Sequence, residues 1–214
     1  MPNITPVPRA DITNETIKQY FELLFGPERD PLIEPGTALG TIGDWWSVFA
    51  ISDDIFEHSV AGFRVYRSPD RKLDPVLREL GQTLAGWLIG SQFVYSQHCK
   101  SLRALGVSDE KIAAVHCWGV SDLFDDKERA VLAFSDCLAA QNGRVPDEVM
   151  AKLKTFLSDL EIMELTYITT LYIMHAIMSR ALRTEFDDRP DPIVEVAAPE
   201  GAELTDFLGN SNSR

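Results

Sequence analysis

Apolar positions recur at helical spacing through most of the chain. Ile17, Tyr20, Phe21 and Leu24 share one face and predict an amphipathic helix over residues 16–25. Residues 26–36, rich in Pro and Gly, read as loop. Apolar residues return at Trp45, and Phe56, Val60 and Phe63 at i, i+4 and i+7 predict a second helix that ends before Ser68-Pro69. Asp74-Pro75 opens a third, with Asp as the acceptor for an orphan N–H and Pro where none is needed. It runs to Ile89, and Gly90-Ser91 makes the break. Ser91 caps the next helix, which ends by Gly106, and Ser108 caps another. Asp125–Glu128 has the form of a capping box before an apolar run ending at Asn142-Gly143. Pro146 starts a short helix, and Ser158–Glu161 is a second box ahead of the longest.

No run alternates apolar and polar residues as a half-buried strand would. The fold class expected is therefore all-α, with about seven helices. Residues 1–50 form an N-terminal extension, 51–184 the helical domain and 185–214 an acidic tail. That tail holds eight acids against Arg189 and Arg214, together with three prolines. It reads as an extended arm, either loose or lying on a neighbouring subunit.

Composition narrows the function classes. The chain has 214 residues, enough for a core without disulfide or metal support. Its net charge of −13 and lack of basic clusters argue against nucleic acid and against an anionic membrane surface. Residues 165–179 are the longest uncharged apolar stretch; it is too short for a bilayer and reads as a buried core helix. The first residues lack a basic and an apolar signal region. Cys99, Cys117 and Cys137 form no CxxC pair, so a reducing, cytoplasmic setting is expected.

Candidate chemistry concentrates in residues 78–99. Ser91, Tyr95 and His98 stand at i, i+4 and i+7 on one helix, and Glu79 lies on the helix before it. If the two helices fold back on each other, Glu79 meets that face. A carboxylate bonded to imidazole fixes its tautomer and raises its basicity, which suits proton transfer. A lone histidine on an apolar helix also serves as a plain core residue, and spacing alone leaves both readings open. His58, His116 and His175 lack the partner spacing of a metal site, so no metal is expected. Trp45 and Trp46, with Phe49 and Phe56, either line a pocket for an aromatic substrate or form core.

The spacing Glu79, eleven residues, Ser91, two residues, Val94, three residues, His98 resembles the Glu-x(11)-Cys-x(2)-Cys-x(3)-His pattern of alkylhydroperoxidase-D-like (AhpD-like) proteins, within the carboxymuconolactone decarboxylase superfamily. Phe93–His98 is similar to the decarboxylase branch, with Val for Glu and Tyr for Trp. Residues 105–115 and 124–134 also resemble the family, and the likeness extends over about residues 55–180. It implies an AhpD-like helical bundle, no cofactor, and a homo-oligomer, usually a trimer or hexamer, with a dimer possible for longer chains.

The departures redirect the expected chemistry. Peroxidase members use two cysteines, one oxidised and one resolving. Ser91 and Val94 stand at those positions, and neither supports that cycle. What is left is an acid–base pair. The resemblance then implies a carbon–carbon lyase, decarboxylating or deformylating a small cyclic or aromatic acid. His98 would be the general acid/base, Glu79 its orienting partner and Tyr95 an oxyanion donor, with Ser91, Trp45, Trp46 and Cys99 near the substrate. Two alternatives stand beside it: a one-cysteine redox protein using Cys99, and a non-catalytic ligand-binding member.

Overall fold

Helix caps written into the sequence fix most of the elements. The structure, a computed structural model, describes residues 2–34 and 44–184. The acidic-arm expectation for residues 185–214 lies outside them. Among the described residues there are nine α-helices, two 3-10 segments and no strand. The α-helices are α1 (Glu15–Phe25), α2 (Trp45–Phe49), α3 (Asp53–Arg67), α4 (Pro75–Ile89), α5 (Gln92–Ala104), α6 (Asp109–Ala113), α7 (Asp126–Ala140), α8 (Asp147–Lys154) and α9 (Asp159–Leu182). The 3-10 segments are Arg9–Asp11 and Ala114–Val120. The helix that the spacing did not announce is α2, five residues long and too short to show a period.

Contacts divide the chain into two units, residues 1–69 with 179–214, and residues 70–178. In the first, Asn14 caps α1 by accepting from the Ile17 N–H, and α1 and α2 pack on α3. The core here is aromatic. Trp45 stacks on Phe49 at 4.0 Å between centroids and meets Trp46 edge-on at 4.7 Å, and Tyr20 stacks on Trp46. Phe56 is fully buried beside Tyr20, Trp45 and Trp46. The Asn3 N–H donates to the Leu182 carbonyl and the Asp44 N–H to that of Thr184, which tie the N-terminal segments to the end of α9.

In the second unit α4 is the central element, packed on α5, α7 and the 3-10 segment Ala114–Val120. Leu77, Val131, Phe134, Leu153 and Leu165 fill one part of its core. Leu80, Leu84, Leu102, Val115, Phe124 and Leu132 fill another. Asp74 accepts from the N–H groups of Val76 and Leu77 with Pro75 at N1, and Asp125 and Glu128 complete their box reciprocally.

The α4–α5 hairpin sets up everything that follows. Gly90 ends α4 at φ 78°, a left-handed position that costs glycine little. Gly86 lets α5 come close: a Cβ there would stand 2.6 Å from the Tyr95 nitrogen. Buried Glu164 ties α9 to the chain entering α4, accepting from the Lys72 and Leu73 N–H groups and pairing with Arg71 at 3.3 Å.

Candidate active site

Folding back at Gly90 brings Glu79 on α4 against His98 on α5. Glu79 Oε2 lies 2.7 Å from His98 Nδ1, and the two residues are 1% and 2% exposed. Against a carboxylate, which has no proton to give, Nδ1–H is the donor. That leaves Nε2 as the nitrogen that gains and loses a proton. The other carboxylate oxygen, Oε1, accepts from Arg78 Nε at 3.2 Å and Nη2 at 3.1 Å. A buried carboxylate is costly unless charged donors hold it, and here one cation and one imidazole do so. The Glu79 carbonyl also accepts from Thr83 Oγ1 at 2.8 Å, which anchors the same turn of α4.

Tyr172 of α9 packs edge-on to the imidazole, with ring centroids 4.3 Å apart and planes at 90°. The Tyr172 ring also lies 6.1 Å from that of His175. Sequence reasoning gave no role to Arg78 or Tyr172. Tyr172 lies in the stretch 165–179 that reads as a plain core helix, and no spacing sets it apart.

The remaining sequence candidates each have partners of their own. Ser91 Oγ accepts from the Val94 N–H at 3.2 Å, the contact of a helix cap. Tyr95 is half-buried, its hydroxyl bonded to the Cys99 thiol and its ring 5.6 Å from Trp87. Burial first, then Cys99, pushes the phenol up to about 12, so Tyr95 keeps its proton at neutral pH. The ring against His98 is Tyr172, not Tyr95. Burial raises the Cys99 thiol above its ordinary range, against smaller lowering effects of Tyr95 and Arg103. A redox-active cysteine needs the opposite environment. Cys137 is also buried and raised, chiefly by desolvation, while Cys117 is exposed; all three are free. Trp45 and Trp46 belong to the aromatic core of the first unit, and ring packing accounts for their burial. Among the described residues no group of three His, Cys, Asp or Glu side chains is placed to hold a metal ion. No helix among them is long and apolar enough to cross a membrane.

Residues 59–136, which include the whole α4–α5 hairpin, match the Carboxymuconolactone decarboxylase family. The all-helical fold is also that of several solved proteins. A protein of unknown function from Agrobacterium tumefaciens, described as a candidate antioxidant defence protein AhpD, superposes with a TM-score of 0.60 at 22% identity, over 64% of this chain and 93% of that one. An uncharacterised peroxidase-related protein from Silicibacter sp. TM1040 does so with a TM-score of 0.66 at 15% identity, over 83% and 88%. The chain is thus similar to the carboxymuconolactone decarboxylase family over residues 59–136 and shares its helical fold with AhpD-like and peroxidase-related proteins. A further structural neighbour is the debrominase Bmp8, solved alone and as a cysteine-to-alanine variant in complex with 2,3,4-tribromopyrrole. The complex gives a TM-score of 0.67 at 16% identity, over 86% of this chain and 90% of that one. Among curated proteins, the uncharacterised YdfG of Bacillus subtilis is 25% identical over 92 residues, 42% of this chain and 63%, under two thirds, of its own length. Glu79 and His98, the first and last positions of the spacing that resembles the family pattern, lie inside the matched residues and are in contact.

Proposed function

We propose that the protein is a cofactor-independent carbon–carbon lyase acting on a small cyclic or aromatic acid. The observation that carries the reading is the buried Glu79–His98 hydrogen bond, its carboxylate held on the far side by Arg78. Such an arrangement fixes the imidazole in one tautomer and one orientation and leaves Nε2 for proton transfer.

In the decarboxylating form, the bond from the substrate carbon to its carboxylate breaks and carbon dioxide leaves. The bonding electrons pass into an enolate or ring system. The proton on His98 Nε2 is then delivered to that carbon, and solvent restores it. The net change is one carboxylate and one proton in, one C–H bond and carbon dioxide out. Glu79 orients the ring and stabilises the imidazolium that precedes delivery. Tyr172, edge-on to the imidazole, fixes its plane. Against a thiol mechanism stands Cys99, a buried thiol raised above its ordinary range and bonded to Tyr95.

The test is a panel of cyclic and aromatic carboxylates, with halogenated pyrroles added because Bmp8 was captured with one. Carbon dioxide release and deuterium uptake from heavy water at the product carbon are followed by mass spectrometry and NMR. Turnover that survives Cys99→Ser and is lost in His98→Ala is expected. Hydroperoxide reduction that depends on Cys99 would overturn the reading.

A further inference from the structure

Gln82, on the helix that carries Glu79, is completely buried. Its side-chain N–H donates to the Arg78 carbonyl at 3.0 Å. A carbonyl accepts only from a donor, so the amide nitrogen faces Arg78 and the amide oxygen is turned away from it. That oxygen, Oε1, meets no donor among the described residues. Glutamine is seldom wholly buried, and an amide oxygen that leaves water without finding a donor is costly. A native fold that keeps such an atom has a use for it.

The faces of α4 say where Gln82 points. Glu79 faces α5, where it meets His98, and Gly86, two turns on, faces α5 as well, against the Tyr95 nitrogen. Gly81 faces α7 and α9: a Cβ there would stand 2.8 Å from Ser135 Oγ and 3.3 Å from Thr169 Oγ1. At about 100° per residue, Gln82 lies about 100° beyond Gly81 and about 60° short of Glu79, between the α9 and α5 directions. Its bond to the carbonyl four residues back lays the side chain along the turn that holds Glu79. The two helices it points between are joined by the edge-on contact of Tyr172 with His98. The unmet oxygen is therefore on the side of α4 where Glu79, His98 and Tyr172 come together. The hydroxyls of Ser135 and Thr169 are buried without partners too. A hydroxyl on a helix can turn onto the carbonyl four residues back, as those of Thr166 and Thr170 do. The Gln82 oxygen has no such recourse, since it only accepts and its nitrogen is already held.

We infer that Gln82 is a specificity-determining residue whose Oε1 accepts a hydrogen bond from the substrate, so that the acid handled by the Glu79–His98 pair carries a hydroxyl or a ring N–H. The inference rests on the lyase reading and narrows its substrate class to hydroxylated acids and N–H heterocyclic acids. An acid of the same outline without the donor leaves the oxygen buried and unmet, which is the strongest ground on which a site rejects an analogue.

Isothermal titration of the full chain compares the ortho, meta and para hydroxybenzoates with the matching fluorobenzoates, and pyrrole carboxylate with furan carboxylate. At least one donor-bearing acid should bind more tightly than its donorless twin by roughly tenfold or more, the scale of one buried hydrogen bond made or left unmade. Gln82→Met, of similar volume and without the acceptor, should bring that ratio to about one. Its circular dichroism should be native and its melting temperature no lower than that of the native protein, because the unmet oxygen is gone. A glutamine that served packing alone would lower the melting temperature and leave the ratio as it was. Equal binding within every pair, absence of binding included, or a ratio that survives Gln82→Met would overturn the inference. Carbon dioxide release is measured separately on the same acids. A preference lost in Gln82→Met without any release keeps the acceptor and sinks the lyase reading, whereas release with no preference does the reverse.

Discussion

Arg78 and His98 hold opposite oxygens of the same buried carboxylate, Glu79. Neighbours at i and i+1 on a helix point in different directions, yet the long guanidinium folds back onto Oε1. Its contribution is that of a charge holding a charge. Removing one partner of a buried ion pair is costly because the other stays buried. Arg78→Met should therefore destabilise the protein by about 3 kcal/mol, measured by urea unfolding, while keeping the helical dichroism. A loss below about 1 kcal/mol would show that Glu79 does not need the guanidinium.

His98→Ala should lower turnover of a substrate found in the panel by roughly 100-fold or more, the usual scale for a lost acid–base group. Glu79→Gln should cost less, since the amide keeps the side chain's shape and loses only the charge that stabilises the imidazolium. Steady-state kcat for the two variants, with stability checked in parallel, decides the order. A Glu79→Gln enzyme slower than His98→Ala would reverse the roles assigned to the pair.

The three thiols should react in an order set by burial. Cys117 is exposed; Cys99 and Cys137 are buried, and desolvation raises both. A raised pKa leaves less thiolate at pH 8 than a free cysteine has, and the thiolate is the nucleophile. Iodoacetamide labelling followed by peptide mass spectrometry should find Cys117 modified first and Cys99 at least tenfold more slowly. Preferential labelling of Cys99 would revive its redox role.

Gly86 and Gly119 should respond oppositely to alanine. A Cβ on Gly86 would stand 2.6 Å from the Tyr95 nitrogen and 3.0 Å from its Cα, both backbone atoms that move only if α5 moves. Gly86→Ala should cost about 1–3 kcal/mol by thermal unfolding, as overpacking does. At Gly119 a Cβ meets nothing within 4 Å, so Gly119→Ala should be near neutral. Equal effects at the two sites would mean that the hairpin approach is not tight.

These elements also show what the chain spells out and what it does not. Caps are local, so Asp74-Pro75, Ser91, Ser108 and both boxes could be read from a few residues each, and the structure forms all of them. The Glu79–His98 contact was legible because a helix pair broken at Gly90 folds back on itself. Tyr172 was not, since it reaches His98 from a helix more than seventy residues on, and only packing decides which of α9's tyrosines turns inward. The 3-10 segment Ala114–Val120 has no spacing of its own to announce it. Tyr95 and His98 stand three residues apart on α5, and Tyr95 also bonds Cys99, one turn further along, with its ring near Trp87.

The start of α9 offers a test of pH dependence. Glu161 Oε2 accepts from Ser158 Oγ at 2.7 Å and from the Ser158 N–H at 2.8 Å, while the Glu161 N–H donates to Ser158 Oγ at 3.3 Å. The first two bonds favour the ionised carboxylate and hold Glu161 below its ordinary value of 4.5; slight burial opposes them, and Lys127 helps a little. A carboxylate lowered on folding contributes stability above its unfolded value and loses it as pH falls through the folded one. Glu161→Gln keeps the outline of the box but not the charge. The melting temperature of the native protein should exceed that of Glu161→Gln by about 2 °C at pH 7, the scale of a capping contribution in a chain of this size. The gap should begin to narrow near pH 5 and keep narrowing as pH falls through the folded value, vanishing once both carboxyl states are protonated. A gap unchanged between pH 7 and pH 3 would show that the charge at Glu161 contributes nothing to the box.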